Sequence, residues 1–294
     1  METNLVELIE KFQSEDKCRD YMEALRWPDG PCCPRCQSKS ISQVTERSQY
    51  DCNDCRYQFS VTSGSVFHDT HLPLWKWFLA VYMVCESKKS ISANQLKRTI
   101  GVSYKTAWYL CHRIRTAMQD DEPLNGVIEA DEAYIGGKRH DGKRGRGASG
   151  KTGVAGMVER GGRVKLEVLK KMDQATLHKF IESNIGKSVE MVVTDCHAGY
   201  KRTGEVAKHR MVNHSQTYVD GDLHINAIEN VWSLLKRSII GAHHHVSAKH
   251  LPAYLTEVAF RFNNRNNENL FRDTMLKLLQ GDHVTFEALT AEAA

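Results

Sequence analysis

The first half of the chain alternates between helical patterns and one segment rich in turns. Residues 1–26 predict short helices that end at residues 27–30 (WPDG), because proline and glycine stop a helix and favour a turn. Residues 57–61 alternate between apolar and polar side chains, as a half-buried strand does. Residues 72–120 become helical. The predicted core face of the first helix in this region consists of Leu74, Trp75, Phe78, Leu79 and Tyr82.

Strand patterns dominate the second half, and one of them carries three carboxylates. Residues 127–135 predict a strand on which Glu129 and Asp131 share one face while Glu132 points to the other, because side chains alternate with a period of two. The other predicted elements are strands at 152–158 and 164–168, a helix at 174–185 and a strand buried on both faces at 191–193. That buried strand ends at Asp195. Sheets of α/β proteins place functional groups there, although an acid in this position also serves as a helix cap or turn former.

An amphipathic helix with two distinct faces is predicted for residues 226–240. Its buried stripe consists of Ile225, Ile228, Trp232, Leu235 and Ile239. A second stripe consists of Asn226, Glu229, Ser233 and Lys236, which are spaced three, four and three residues apart. The simplest alternative is that Glu229 and Lys236 are ordinary surface residues two turns apart.

Composition narrows the class of protein. The chain has 294 residues, of which 41% are apolar and 26% charged, so we expect a globular protein of two or three domains. The longest strongly apolar run, Trp77 to Cys85, has nine residues, whereas a membrane span needs about 20. The amino end is acidic and mixed, unlike a secretory signal peptide. We therefore predict a cytoplasmic protein with no membrane partner.

Charge is strongly segregated along the chain. Residues 1–30 carry eight acidic and four basic side chains, whereas residues 75–119 carry eight basic side chains and one acidic. The glycine-rich segment 136–151 carries six basic side chains and one acidic. Two concentrated positive segments suit a polyanionic partner such as nucleic acid. Solvated faces of an unrelated protein would also show this pattern.

Four of the nine cysteines form two C-x-x-C pairs. Cys33 and Cys36 are separated from Cys52 and Cys55 by fifteen residues. Each short loop brings two thiolates to one metal, and the spacer lets the second loop complete a tetrahedral site. A redox pair is the rival interpretation of a single C-x-x-C. Two pairs at this spacing predict a structural zinc ribbon.

A helix-turn-helix pattern follows. A short helix at 91–98, a turn at Gly101-Val102-Ser103 and a longer basic helix from Tyr104 to Met118 match this motif, whose second helix lies in a DNA major groove. Generic helix pairs show the same pattern. The residues predicted to reach phosphates or bases are Lys105, His112, Arg113 and Arg115.

Three carboxylates together suggest a catalytic site. Asp131 lies on the first predicted strand, Asp195 at the end of the buried strand, and Glu229 on the amphipathic helix. Hard oxygen ligands of this kind hold two Mg²⁺ ions about 4 Å apart in enzymes of phosphoryl transfer. The spacing is compatible with such a site.

Seven stretches of the chain resemble one protein family. They are RWPDGPCCPRCQS, YDCNDCRYQFSVTSGSVFHDT, GVSYKTAWYLCHRIRTAM, EADEAYIGGK, VVTDCHAGY, HINAIENVWSLLKR and GAHHHVSAKHLPAYLTEVAFRFNNR, which run from about residue 20 to residue 265. In this order they resemble bacterial insertion-sequence transposases of the DDE type, from the group with an amino-terminal zinc ribbon and a lysine after the third acid. The resemblance implies an α/β fold: an RNase H-like catalytic domain, with a mixed sheet flanked by helices, preceded by a zinc ribbon and a helix-turn-helix.

The resemblance also implies roles for individual residues. Asp131 matches the first acid, Asp195 the second and Glu229 the third, and Lys236 matches the lysine that would hold a transposon-end phosphate. Thirty-three residues separate Asp195 from Glu229, close to the family spacing. Glu129 and Glu132 are the nearest alternatives for the first acid and rank below Asp131. The implied cofactors are a structural Zn²⁺ and two catalytic Mg²⁺ or Mn²⁺ ions.

The implied activity is transposition of DNA. Such an enzyme would bind the terminal inverted repeats of its own insertion sequence, hydrolyse the phosphodiester at each end and join the freed 3′-hydroxyl to target DNA. The implied partners are double-stranded DNA at the ends and target, and further copies of the chain in a synaptic complex. Lys138 and Arg139, in the basic segment 136–151, would clamp the DNA backbone. Two alternatives remain: a DNA-binding regulator with an inert RNase H-like module, and a nuclease of the same fold that never joins.

These patterns divide the chain into five segments. They are an amino-terminal helical segment at 1–30, the zinc ribbon at 31–62, the helix-turn-helix region at 72–120, the catalytic domain at 121–270 and a carboxyl-terminal tail at 271–294. His243, His244 and His245 are consecutive and therefore point in different directions. We expect a loop or DNA-facing role for them rather than a metal site.

Overall fold

The structure is a computed structural model that describes residues 4–136, 151–212 and 223–291. It consists of two compact units. The first comprises Met1–Met118 together with Asn266–Ala294, and the second comprises Gln119–Arg265. None of the helices within the described ranges combines the length and apolar character that crossing a bilayer requires.

The first unit is mostly helical and contains one small antiparallel sheet. Its helices are α1 (Leu5–Lys11), α2 (Glu15–Arg26), α3 (Leu74–Glu86), α4 (Ala93–Ile100), α5 (Tyr104–Thr116), α9 (Leu270–Gln280) and α10 (Phe286–Thr290), and its strands are β1 (Ile41–Val44), β2 (Gln49–Cys52) and β3 (Gln58–Phe59). Serine side chains cap three of these helices: Ser14, Ser92 and Ser103 accept hydrogen bonds from the first turns of α2, α4 and α5. Gly101, at φ 63°, ends α4 in the left-handed conformation that favours glycine.

The buried face of α3 includes Leu74 and Phe78 of the five predicted residues, whereas Leu79 and Tyr82 are half-buried and Trp75 is exposed. Trp77 is 1% exposed, whereas Trp75 is 38% exposed. The buried stripe follows Leu74, Phe78 and Val81, with Trp77 on its flank. Because almost every residue of α3 is apolar, the sequence pattern alone could not decide which edge of the helix faces the core.

The carboxyl-terminal segment 271–294 was predicted to be a tail, and the structure corrects this. Helix α9 packs against α2 and α3, and it buries Phe271, Met275 and Leu278. These apolar residues recur at the spacing of a helix face, but their packing partners α3 and α2 lie about 190 and about 250 residues earlier in the chain. The core of the first unit therefore includes both ends of the sequence.

A five-stranded mixed sheet forms the centre of the second unit. Its elements are β4 (Leu124–Ile135), β5 (Thr152–Glu159), β6 (Val164–Leu169), α6 (Gln174–Asn184), β7 (Ile185–Asp195), β8 (His209–Val212), α7 (Asn226–Ser238) and α8 (Leu251–Asn263). The strand order is β6-β5-β4-β7-β8. Strands β4, β5 and β6 are antiparallel neighbours, whereas β7 and β8 run parallel to β4. This mixed sheet with helices on both faces confirms the predicted α/β, RNase H-like fold class.

The two faces of the sheet pack against different helices. Alternate residues of β4 contribute to different clusters: Ala133 and Ile135 pack with α7 and α8, whereas Ile128 and Ala130 pack with α6. Glu129 and Asp131 share the parity of Ala133, so they lie on the face that α7 covers. The two-residue period therefore assigned the faces of this strand as the structure has them.

Candidate active site and zinc ribbon

Two aspartates meet at the centre of the sheet. Ala130 of β4 pairs with Thr194 of the parallel strand β7, and Asp131 and Asp195 directly follow these paired residues. One carboxylate oxygen from each of Asp131, Asp195 and Glu132 lies within 4.8 Å of the other two. The sheet thus brings three acids together at the carboxyl end of β7, beside the middle of β4, and α/β sheets commonly place functional sites at such strand ends.

Asp131 lies in a setting that favours a bound cation. Its Oδ2 accepts a hydrogen bond of 2.9 Å from the indole Nε1 of Trp232 on α7. Burial, together with the nearby charge of Glu132, raises the pKa of Asp131 to about 7. Such a shift means that the ionised carboxylate lacks a compensating positive charge. An all-oxygen donor set with unbalanced negative charge fits a hard divalent ion such as Mg²⁺ or Mn²⁺.

Glu132 approaches the same point from the opposite face of β4. Its Oε2 accepts a 3.0 Å hydrogen bond from the hydroxyl of Tyr200, and its Oε1 lies 3.7 Å from Nδ1 of His197. The backbone N–H of His197 in turn donates to Oδ1 of Asp195 over 2.9 Å. Burial and the Glu132 carboxylate raise the pKa of Tyr200 well above its ordinary value. Sequence reasoning ranked Glu132 low, and its partners lie in the quoted stretch VVTDCHAGY.

Helix α7 presents the two remaining predicted residues to solvent. Asn226, Glu229, Ser233 and Lys236 are all exposed, while Ile228, Trp232 and Leu235 are buried, as the predicted stripes require. Among the residues that the structure describes, the compact carboxylate group contains Asp131, Glu132 and Asp195 and does not include Glu229. The role of Glu229 as the third acid stays a prediction, as does that of Lys236.

Glu129 holds the amino terminus of α7. Its Oε2 accepts hydrogen bonds from the backbone N–H groups of Ala227 (2.7 Å) and Ile228 (3.2 Å). Its Oε1 accepts a 2.9 Å hydrogen bond from Arg160 and lies 3.1 Å from Nδ1 of His224. The N-cap residue of α7 is Ile225, whose side chain cannot accept a hydrogen bond. The Glu129 carboxylate from β4 therefore supplies the missing acceptor. Glu129 is therefore held in structural contacts, and its carboxylate lies outside the compact group that Asp131, Glu132 and Asp195 form.

The four predicted cysteines converge in the first unit. Sγ of Cys33 lies 3.6 Å from Sγ of Cys55, and Sγ of Cys36 lies 3.5 Å from Sγ of Cys52. Four sulfurs at the corners of a zinc tetrahedron are separated by about 3.8 Å, given a Zn–S bond of about 2.3 Å. Cys32 lies outside the group, with its Sγ 3.2 Å from the carbonyl oxygen of Gln37. The donor set and its spacing fit a structural zinc ion.

Two family models match the chain over these regions. Residues 123–263 match the ISXO2-like transposase domain, and residues 13–58 match a transposase zinc-ribbon domain. The chain belongs to the insertion-sequence transposases that carry an amino-terminal zinc ribbon. A relative of this transposase is an uncharacterized protein in transposable element ISH50 of Halobacterium salinarum. It is 29% identical over 274 residues, which cover 86% of this chain and 92% of the relative.

Three solved structures are also similar to this transposase. The catalytic core domain of HTLV-2 integrase in complex with magnesium is 15% identical, with a TM-score of 0.31 over 50% of this chain and 90% of that one. The simian T-cell lymphotropic virus intasome in complex with PP2A regulatory subunit B56 gamma is 13% identical (TM-score 0.30, 61% and 66% coverage). A pre-cleavage Mos1 transpososome is 10% identical (TM-score 0.27, 69% and 75% coverage).

The transposase buries two of the arginines that were predicted to contact DNA. Arg113 and Arg115 are 4% and 3% exposed, respectively. Arg113 donates to the carbonyl oxygens of Val66 and His68, and its guanidinium lies 5.0 Å from the ring centroid of Trp77. The structure therefore corrects the prediction for both arginines, because a guanidinium enclosed by protein cannot reach DNA. His112 is likewise buried.

The other predicted DNA contacts divide into two groups. Lys105 is exposed at the start of α5, with its Nζ 4.4 Å from the ring centroid of Phe286. Lys138 and Arg139 lie outside the described residues. His243 to His245 belong to neither compact group of metal-ligating side chains that the described residues contain, and a loop or DNA-facing role for them stays a prediction.

Replacement of Glu129 by alanine is expected to lower the free energy of unfolding by about 3 kcal/mol, because it breaks a buried ion pair and uncaps α7. Arg160 would lose its carboxylate partner and keep the carbonyl oxygen of His224, while its side chain remains only 24% exposed. Urea unfolding of the purified transposase measures this change. The exposed Glu190 provides a control whose replacement should change stability by less than about 0.5 kcal/mol. Equal effects of the two replacements would contradict the capping role.

Proposed function

We propose that this transposase cleaves the ends of its own insertion sequence by hydrolysis and joins the freed 3′-hydroxyl to target DNA. The observation that carries the proposal is the meeting of Asp131, within β4, and Asp195, at the end of the adjacent parallel strand β7, in a member of a transposase family. Both reactions are in-line displacements at phosphorus, so positioning and charge stabilisation supply most of the catalysis. Mg²⁺ or Mn²⁺, when bound by these carboxylates, would neutralise the phosphate and activate the attacking oxygen.

Residues of α7 would complete the site. Glu229, exposed on the helix that packs over Asp131, is the proposed third acid. Lys236 lies seven residues further along the same exposed stripe, about 10 Å along the helix axis. It would therefore bind a phosphate next to the reacting one rather than the reacting phosphate itself. Its ammonium group is a point charge suited to a phosphate whose orientation varies.

The first unit would recognise double-stranded DNA at the transposon ends. Helices α4 and α5 pack together across the turn at Gly101, as in a helix-turn-helix. The amino-terminal residues of a recognition helix contact base edges, and here Tyr104 and Lys105 are exposed at that position. We propose these two residues as contacts, together with Lys97 and Arg98 on the exposed face of α4. The zinc ribbon would contribute to the same recognition.

The assignment of domains and partners follows from this proposal. The zinc ribbon at 31–62 and the helix-turn-helix at 72–120 would bind the terminal repeats, and the catalytic domain at 121–270 would perform both reactions. Two ends must be brought together for joining. A homo-oligomer is therefore the proposed active form, and comparison of its mass with and without end DNA would detect it.

The test uses the purified full chain, Mg²⁺ and a DNA fragment carrying the sequences that flank its gene. We expect a nick at the repeat boundary and joined products. Glu229→Gln should lower the rates of nicking and of joining by at least about a hundredfold, because it removes the negative charge of the proposed third acid. The exposed Glu190 serves as a matched control, since Glu190→Gln should act like the unaltered protein.

Each other outcome of this test would support a different function for the protein. Cleavage without joined products would indicate the nuclease, and specific binding without cleavage would indicate the regulator. Full activity of Glu229→Gln would show that Glu229 is not the third acid, while leaving the transposase activity itself in place.

A further inference from the structure

Trp232 connects α7 to the first acid. Its side chain is 5% exposed, and its indole N–H donates to Oδ2 of Asp131 over 2.9 Å. It lies three residues after Glu229 on the same helix, on the face turned toward the sheet. An indole in an apolar core satisfies its N–H with any nearby acceptor. Here the acceptor is a carboxylate of the candidate active site.

The strand next to Asp131 is shaped to admit this indole. Gly156 of β5 pairs directly with Asp131 across the antiparallel ladder. A Cβ atom added to Gly156 would lie 2.5 Å from Cη2 of Trp232 and 2.9 Å from Cδ2 of Leu166. Carbon atoms do not approach this closely, so any larger residue would displace the indole or its neighbours. Glycine at this position therefore allows Trp232 to lie over the strand and reach the carboxylate.

The hydrogen bond restricts the orientation of the carboxylate. Rotation of an aspartate about its last torsion angle is broad, so an unrestrained carboxylate samples many directions. The indole N–H on Oδ2, together with the backbone N–H of Glu132 that also hydrogen-bonds this carboxylate, removes most of that freedom. Partners of this kind around metal-binding side chains are typically worth about 10- to 100-fold in metal affinity or activity.

We propose that Trp232 is a positioning residue for Asp131: its indole fixes Oδ2, directs Oδ1 toward a divalent cation and holds α7 in register with β4. The proposal rests on the proposed function, because it takes Asp131 to be a metal-binding acid. The same contact joins the strand of the first acid to the helix of Glu229. Loss of the hydrogen bond thus impairs metal binding without removing a ligand.

The test compares binding of Mn²⁺ by calorimetry with the Mn²⁺ concentration that gives half-maximal DNA cleavage. Trp232→Phe removes the N–H and keeps an aromatic ring, and Trp75→Phe is the matched control because Trp75 is exposed at 38%. Trp232→Phe should weaken Mn²⁺ binding about tenfold and raise the half-maximal Mn²⁺ concentration by a similar factor. Trp75→Phe should change neither quantity. Saturating Mn²⁺ should restore most of the cleavage rate.

A purely structural role predicts a different result. In that case Trp232→Phe would lower the unfolding temperature. Below that temperature, the variant would bind Mn²⁺ as tightly as the unaltered transposase does. This outcome would overturn the proposal. If Trp232→Phe does not fold, Gly156→Ala provides the second measurement, because the added methyl group displaces the indole. Unchanged Mn²⁺ affinity in a folded Gly156→Ala protein would likewise overturn it.

Asp131→Asn, measured in parallel, separates this proposal from the proposed function. Retained cleavage and Mn²⁺ binding in Asp131→Asn would contradict the role of Asp131 itself. Loss of both in Asp131→Asn, with Trp232→Phe unchanged, would contradict only the positioning role of the indole.

Discussion

Asp195→Asn is expected to abolish both end cleavage and strand transfer while leaving binding to the repeat ends intact. Asparagine has nearly the shape of aspartate, and its carbonyl oxygen can still accept the hydrogen bond that the backbone N–H of His197 donates to Oδ1. The substitution therefore removes one negative charge from the group formed with Asp131 and Glu132 and little else. The fold and the DNA-binding unit should be unaffected.

The expected size of this effect is roughly a thousandfold or more in the rate of cleavage, or about 4 kcal/mol of transition-state stabilisation. Single-turnover cleavage of an end-labelled repeat fragment measures the rate, and a mobility-shift assay with the same fragment measures binding. Asp121→Asn is a matched control, because Asp121 is exposed shortly before β4. Cleavage retained by Asp195→Asn would remove the basis for the metal-binding assignment. Loss of DNA binding would instead indicate that Asp195 acts through folding.

The sequence predicted the centre of the site better than its edges. The resemblance selected Asp131 and Asp195, whereas strand periodicity placed Asp131 and Glu129 together on one face of β4 without choosing between them. Glu132 was assigned to the correct face of β4, yet its oxygen still reaches the group. Strand β7 ends at Asp195 while the neighbouring β4 continues to Ile135, and the partners of Glu132, Tyr200 and His197, come from the segment that follows β7, 65 to 68 residues later in the chain. Periodicity within one strand contains no information about that contact.

Buried arginines show where charge patterning misleads. The basic helix α5 was interpreted as a DNA-facing surface, but Arg113 donates to carbonyl groups of residues 45 and 47 positions earlier. The number of positive charges in a segment does not reveal which of them are enclosed by distant parts of the chain. The same limitation applies to α9, whose apolar face is visible in the sequence while its partners α2 and α3 are not. Predictions were most reliable where the partners are close in the chain, as for the four cysteines.

Loss of one zinc ligand is expected to unfold the ribbon. Its three strands have only four, four and two residues, and its buried core is small, consisting of Cys33, Tyr50, Cys52 and Phe59. An isolated module of this size does not bury enough apolar surface to fold without a metal or disulfides. Structural zinc supplies about 10 kcal/mol or more in such modules, so folding and zinc binding are coupled.

Cys33→Ser should therefore lose the zinc ion, lose amide-exchange protection across residues 31–62 and bind repeat ends more weakly, while the sheet of the second unit keeps its protection. Cys32→Ser is the matched control, because Cys32 is the adjacent thiol and lies outside the group of four. It should retain one zinc ion per chain. Zinc content, hydrogen exchange and mobility shift measure the three quantities. Loss of zinc from Cys32→Ser but not from Cys33→Ser would show that Cys32, rather than Cys33, binds the zinc ion. Normal end binding by a zinc-free Cys33→Ser protein would instead assign recognition to α4 and α5 alone.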